Sequence, residues 1–355
     1  MRPPSVRHVL LVRVVSVIVL FALFVLGREP AGYGQDSRSE LIKRYVKELH
    51  DGSGQVRWNA VYALEELGAM EALPEIRALL SDPEVDVREQ AIHALGGLGD
   101  RESIPRIRPL LDDKEEAVFI AATMTLGKLG DRESLPRIRG LLDHEYWPAR
   151  LTAAFALGEL GDKESLSRIR ALLEDEEILI VGDVIHVLVK LDDRASIPRL
   201  RLLLDDPQLG MRAEAVRALG EFMDKESIPK MRALLKDEAM AVRTAAVESL
   251  GRLDDKVAIP EIRKLLKDGE WWVRSESACV LGKFRDKESV PVLKELLSDK
   301  EKHVRAWAAI ALVELGETPS VPGEVLKDVG AIAGYLDKDK ADRARAALRL
   351  LEERK

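Results

Sequence analysis

Residues 100–130, DRESIPRIRPLLDDKEEAVFIAATMTLGKLG, are followed at once by residues 131–161, DRESLPRIRGLLDHEYWPARLTAAFALGELG. The two align without a gap, so the chain repeats itself with a period of 31 residues, a spacing that marks stacked supersecondary units. Proline extends the grid both ways, at Pro74, Pro105, Pro136, Pro198, Pro229, Pro260, Pro291 and Pro322, with Ser167 standing in once. A Leu-Leu pair follows each grid position up to Pro291, from Leu79–Leu80 to Leu296–Leu297, and an Asp comes two residues later in most repeats. Six residues past that position stands Arg57, Arg88, Arg150, Arg212, Arg243, Arg274 or Arg305. Independent columns on one period exclude coincidence.

Each column has a physical reason. Proline is tolerated in the first turn of a helix, where its missing N–H has no partner to lose. Ser103 and its equivalents, with the Asp100, Asp131, Asp162, Asp193 and Asp224 column, are expected to cap that turn. Ile104, Ile107, Leu110 and Leu111 then make a short helix with one apolar stripe. The Asp82 or Asp113 column marks a turn and is expected to cap a second helix. That helix buries Val87, Ala91, Ala94, Leu95 and Leu98 and stops at Gly99.

At 100° per residue the Arg88 column points toward the buried flank, where a charge needs a partner. The Asp column supplies it, within the same repeat or in the next. Asp82, Arg88, Asp206, Arg212, Asp237, Arg243, Asp268, Arg274, Asp299 and Arg305 therefore read as a structural ladder between repeats.

The pattern Pro-x-[Ile/Leu]-x-x-Leu-Leu-x-Asp, then Val-Arg-x-x-Ala-x-x-Ala-Leu-Gly-x-Leu-Gly-Asp, resembles the HEAT-repeat family. Within it the pattern is most similar to the short HEAT-like repeats of phycobilin lyases and of many bacterial proteins. The resemblance implies an all-α fold, an α-solenoid wound as a right-handed superhelix, with the second helices lining its concave wall. Nine repeats occupy residues 41–319, and residues 320–355 form a degenerate capping repeat in which Asp337 and Arg343 imitate the ladder spacing. The lyases lend no transferable catalytic residue. HEAT-like di-iron hydroxylases carry several His-Glu dipeptides at helix starts, whereas this chain has only His144–Glu145.

The net charge of −7 includes Arg2, Arg7, Arg13 and Arg28 against Glu29 in the first 34 residues, so the remainder stands at −10. No basic stripe is available for nucleic acid, which is not expected as a partner. The single cysteine, Cys279, excludes an intramolecular disulfide and a multi-cysteine metal site; it reads either as a reactive thiol or as half-buried filler. Val14–Leu26 is an uncharged run, apolar but for Ser16, behind three arginines, the pattern of a secretory signal. Residues 1–34 are thus expected to be a signal peptide or a membrane anchor, with residues 14–27 as the anchoring segment and residues 35–40 as a linker. Export to the periplasm or beyond, or tethering to the cytoplasmic membrane, follows.

Function is sought in columns that vary. On the second helix the open arc comprises the columns of Asp86, Gln90, His93 and Gly97. Along it, Ala117, Ala121, Met124, Pro148, Phe155 and Leu179 make an apolar zone, either a partner groove or side chains buried by curvature. The zone coincides with lapses at Phe119 and Val181 (ladder Arg), His144 (ladder Asp) and Ser167 (proline). Trp272, His303 and Trp307 are either a stacking anchor or a plug against the C-terminal cap. His93 and His186 share a column three repeats apart, too far to share a metal ion. No phosphate loop, nucleophile elbow or metalloprotease motif occurs in the chain. The expectation is a non-catalytic scaffold without cofactor, binding a protein or peptide partner through Met124, Phe155, Leu179, His93, His186, Trp272, His303 and Trp307. The alternative is a lyase-like or regulatory subunit acting on a chromophore or another prosthetic group.

Overall fold

The computed structural model describes residues 37–352, except residue 176 and residues 318–321 and 335–336, and except the side chains of residues 178 and 179. The segment expected to be a signal or anchor lies outside the described residues, as does the side chain of Leu179. Among the described residues no helix is long and apolar enough to cross a membrane. They form twenty α-helices and no strand.

The chain divides into two compact units, Met1–Leu129 and Gly130–Lys355. Among the described residues the first holds three helix pairs: α1 (Arg38–Glu48) with α2 (Gly54–Glu66), α3 (Leu73–Ala78) with α4 (Val85–Gly97), and α5 (Ile104–Ile107) with α6 (Glu116–Leu129). The second opens with α7 (Leu135–Gly140) and α8 (Trp147–Glu159), α9 (Leu166–Ala171) and α10 (Ile178–Lys190), and α11 (Ile197–Leu203) and α12 (Leu209–Glu221). It continues with α13 (Ile228–Leu234) and α14 (Met240–Arg252), α15 (Ile259–Leu265) and α16 (Trp271–Phe284), and α17 (Val290–Leu296) and α18 (Lys302–Glu314). Then come α19 (Gly323–Ile332) and α20 (Lys338–Glu352). Within each unit consecutive second helices pack on one another, so both are runs of an all-α solenoid.

Proline takes the first turn of the short helices, as at α3, α7 and α11. The second helices end in Schellman turns: the Asp100 N–H donates to the Leu95 carbonyl at 2.9 Å, and Asp162, Asp193 and Asp224 repeat the bond. The residue before that Asp is left-handed. It is glycine at Gly99, Gly130 and Gly161, but Asp192, Met223, Asp254 and Arg285 take φ of 52–57° in the same column, a conformation that costs a side-chain-bearing residue about 1–2 kcal/mol.

The capping expectation is corrected. No side chain caps α5, α7 or α11, because Ser103 and Ser196 donate to the Asp100 and Asp193 carbonyls, and Ser134 to the Asp131 carboxylate. The Asp82 column is not an N-cap either. Its carboxylate accepts the N–H two residues on, as from Glu84, Ala239 and Glu301 at 2.9 Å, which pins the turn before the second helix.

The ladder runs forward. Nε and Nη2 of Arg57, Arg150, Arg212, Arg243 and Arg274 donate to both oxygens of Asp82, Asp175, Asp237, Asp268 and Asp299, one repeat on, at 2.7–2.9 Å. Nη1 donates backward to the carbonyl of the repeat's own turn, as from Arg243 to Asp237 at 2.8 Å. Lysine could not fill this fork. Arg88 is looser, 3.5 Å from Asp113, and Arg305 ends the series on Asp328. Asp206, expected as a rung, faces the Val181 position where an arginine would stand; it keeps the Gln208 N–H and the Arg212 contact through its carbonyl. His144 likewise retains the local half of the aspartate's role, its Nδ1 accepting the Tyr146 N–H at 3.0 Å.

A second ladder was not expected. Arg77, Arg139, Arg170, Arg201, Arg232 and Arg263, on the first helices, form forked pairs with Asp100, Asp162, Asp193, Asp224, Asp255 and Asp286 at 2.5–2.9 Å. Those aspartates sit at the foot of the next repeat.

These pairs make stability depend on acid. Burial works to raise the carboxyls of Asp82, Asp162, Asp175, Asp224, Asp237 and Asp299. Hydrogen bonds from their arginines, helped by backbone amides or a serine, outweigh it and hold all six below the usual range. The unfolded chain therefore takes up protons first as pH falls. The stabilisation is complete above about pH 4 and is lost below it, toward the folded-state values. Glu65 and Glu276 act in the opposite sense, held above the usual range by burial, but they are outnumbered. The melting temperature should stay nearly level from pH 7 to about pH 5 and fall steeply below about pH 4; a level profile down to pH 3 would contradict the ladder's weight.

Candidate functional site

Second helices use most of their surface on one another. Besides the core and ladder columns, a glycine column lets them approach: a Cβ on Gly96 would lie 3.0 Å from Thr125, and one on Gly251 2.7 Å from Val280. The arc left over carries the candidates.

In the first unit, Met124 is 46% exposed, while Ala121 of the same expected apolar zone is buried. His93 is half-exposed, its Nε2 3.7 Å from the Glu89 carboxylate. In the second unit, Phe155 is half-buried on α8, and His186 is exposed with Nε2 3.2 Å from Glu214. Trp272 is 52% exposed. It stacks on Trp271 with ring centroids 3.8 Å apart, and Trp271 lies 4.9 Å from the His303 ring. Burial and neighbouring Lys302 hold the His303 imidazole below its usual pKa, so it is neutral near pH 7. Trp271, at the first position of α16, joins the stack through a column that periodicity gave no reason to single out.

Trp307 is not an exposed anchor. It is 4% exposed because α20 turns back across the open arc instead of stacking as a tenth repeat. Arg343 copies the spacing of the ladder but not its pairing. Its guanidinium reaches back to α18 and α16: Nε and Nη2 donate to Glu314 at 2.7 and 2.8 Å, and Nη2 to the Cys279 carbonyl at 2.7 Å. Nη1 lies 3.2 Å from the Cys279 sulfur, and the group sits 5.2 Å above the Trp307 ring, within cation–π range. One turn earlier, Lys340 Nζ lies 3.0 Å from Glu276 and 4.0 Å from Glu248. Burial disfavours the lysine's charge, but Glu276 and its neighbours outweigh that and raise its pKa. One helix thus meets side chains from three consecutive second helices, α14, α16 and α18. Glu276, Glu314, Lys340 and Arg343 are all visible in the sequence, but the cap's drift off the grid hid their register.

Cys279 is fully enclosed. Burial, then the adjacent Glu276, push its thiol up to about 12 against the opposing pull of Arg343. Only the thiolate reacts. A disulfide reagent at pH 8 is expected to leave Cys279 unmodified in the folded chain and to label it fully in denaturant. Prompt labelling of the folded chain would show that α20 does not stay seated. Among the described residues no group of three or more His, Cys, Asp or Glu side chains is placed to hold a metal ion.

The HEAT-repeat family model matches residues 42–105, 78–148, 138–211, 202–279 and 259–352. That match reaches HEAT repeats as a whole and does not single out the phycobilin-lyase type. No curated protein matches the chain. Among solved structures, the X-ray structure of Escherichia coli YibA is similar at 19% identity and TM-score 0.50, over 74% of this chain and 95% of that one. A crystal structure of an engineered protein is 17% identical with TM-score 0.45, over 88% and 99%. Human deoxyhypusine hydroxylase in complex with glycerol is 23% identical with TM-score 0.31, over 72% and 99%. At these identities the likeness to YibA bears on the fold alone. With successive matches running from residue 42 to residue 352, the chain belongs to the HEAT-repeat family.

Proposed function

We propose that this chain is a non-catalytic scaffold that binds a protein or peptide partner on the open arc of its second helices, the concave wall in family terms. HEAT-repeat proteins commonly bind protein partners. One observation carries the reading here: the arc of α14, α16 and α18 already receives a helix, with ion pairs and an aromatic contact made to it. Outside that contact the arc keeps Met124 of the first unit and Trp272, at the start of α16 in the second, in water, the kind of apolar side chain that interaction surfaces use. The chromophore-directed alternative gains no support from the arc's side chains. Export, or tethering through residues 14–27, belongs to the same proposal and places the scaffold outside the cytoplasm or on its membrane.

The test is substitution on the arc. Met124→Glu and Trp272→Glu, singly and together, are expected to reduce recovery of the partner that the unmodified chain retains in its native host. Leu202→Glu, on first helix α11 and also exposed, should leave recovery unchanged. Equal recovery from all variants would remove the arc assignment.

A further inference from the structure

The seat of α20 has a chemistry of its own. It offers acceptors: the carboxylates of Glu276 and Glu314, with Glu248 behind, the Cys279 carbonyl, and the face of Trp307. What it receives is two cations three residues apart on one helical face, Lys340 and Arg343. Beneath Arg343 lies the ring of Trp307, which is buried.

Apart from the two cations, the side chains that α20 buries are mostly small. The residues α20 buries are Ala341, Ala344, Ala347 and Leu351, three of them no larger than a methyl group. Buried ion pairs roughly repay their own desolvation, so they add selectivity more than strength. The array does not need α20 to close its ladder, because Arg305 already ends on Asp328 of α19. Releasing α20 would return Glu276 and Glu314 to water and uncover the Trp307 ring, an apolar face that an amphipathic helix can cover.

Building on the arc reading above, we propose that the arc of α14, α16 and α18 is a recognition site for an amphipathic helix presenting two cations three residues apart. α20 is its internal occupant, and a partner helix of that pattern binds by displacing it.

The experiment uses the full chain, the buried thiol as reporter, and a synthetic peptide of residues 338–352 as probe. In the unmodified chain Cys279 is protected. In Lys340→Gln/Arg343→Gln, with helicity by circular dichroism unchanged, its labelling rate is expected to rise at least about tenfold, the effect of weakening docking by 1.4 kcal/mol. Excess peptide then restores protection, while the same peptide with glutamine at both cationic positions does not. Continued protection in the variant would overturn the proposal, since the cations would not be what holds α20. So would labelling that the peptide cannot suppress, or suppression equally strong with the neutral peptide; α20 would then be only a cap. If the double variant fails to fold, Lys340→Gln alone is read the same way, with a smaller rise and the same peptide dependence. No partner is present in this assay, so its failure leaves the scaffold reading to the recovery experiment.

Discussion

Arg274→Ala is expected to destabilise the second unit by about 3 kcal/mol, the low end of the loss seen when one member of a buried ion pair is removed. The arginine donates to both oxygens of Asp299 at 2.8–2.9 Å and to the Asp268 carbonyl at 2.9 Å. Both side chains are about nine-tenths covered, at 10% and 9% exposure. Alanine leaves Asp299 enclosed with only the Glu301 N–H to solvate it. Replacing both partners together, Arg274→Met with Asp299→Leu, is expected to cost far less, because no charge is stranded. Urea unfolding followed by circular dichroism separates these outcomes. A single-variant loss within about 0.5 kcal/mol, as for an ordinary surface position, would mean the ladder adds little. Repeat arrays gain stability largely from nearest-neighbour interfaces, so the loss should appear as early opening of the α16–α18 junction.

Gly282→Val should be about as costly, roughly 3 kcal/mol, at the upper end of typical overpacking. In an exposed helix, replacing glycine usually helps, by up to about 1 kcal/mol for alanine. Here a Cβ at position 282 would fall 2.8 Å from the Ala311 Cα and 2.4 Å from a Glu314 oxygen. Backbone cannot step aside as a flexible side chain does, so α16 and α18 must move apart. Thermal unfolding of the variant is the check, with an unchanged melting temperature as the contrary result.

These two positions show where sequence reading succeeds and where it stops. The Arg274 column announced itself through period and sidedness, because a charge recurring on a buried flank must be paired. Whether its partner lay in the same repeat or the next depended on how helix pairs stack, which periodicity does not specify; the fork uses both. Arg77 and its equivalents recur just as regularly, yet their pairing across 23 residues with the Asp100 column stayed hidden. Capping already offered those aspartates a local partner, and local explanations compete well when geometry is unknown. The lapse at His144 was legible as a lapse, but not that its ring nitrogen keeps the turn bond of the aspartate it replaces. Least legible was α20. Its Asp337–Arg343 spacing copies the ladder, while the helix crosses the arc and sends Arg343 backward to Glu314 and Cys279. Consequently Trp307 lies under a helix, whereas Trp272, in the neighbouring second helix, stays half in water.

In the proposed function, grid columns hold the array together while the open arc meets the partner. Crosslinking with mass spectrometry in the native host addresses it most directly. Crosslinks to a partner are expected to concentrate on arc positions such as Lys128, Glu159, Lys190 and Glu221, with few from the first helices. Partner crosslinks spread evenly over both helices of each repeat, or confined to the first helices, would contradict it.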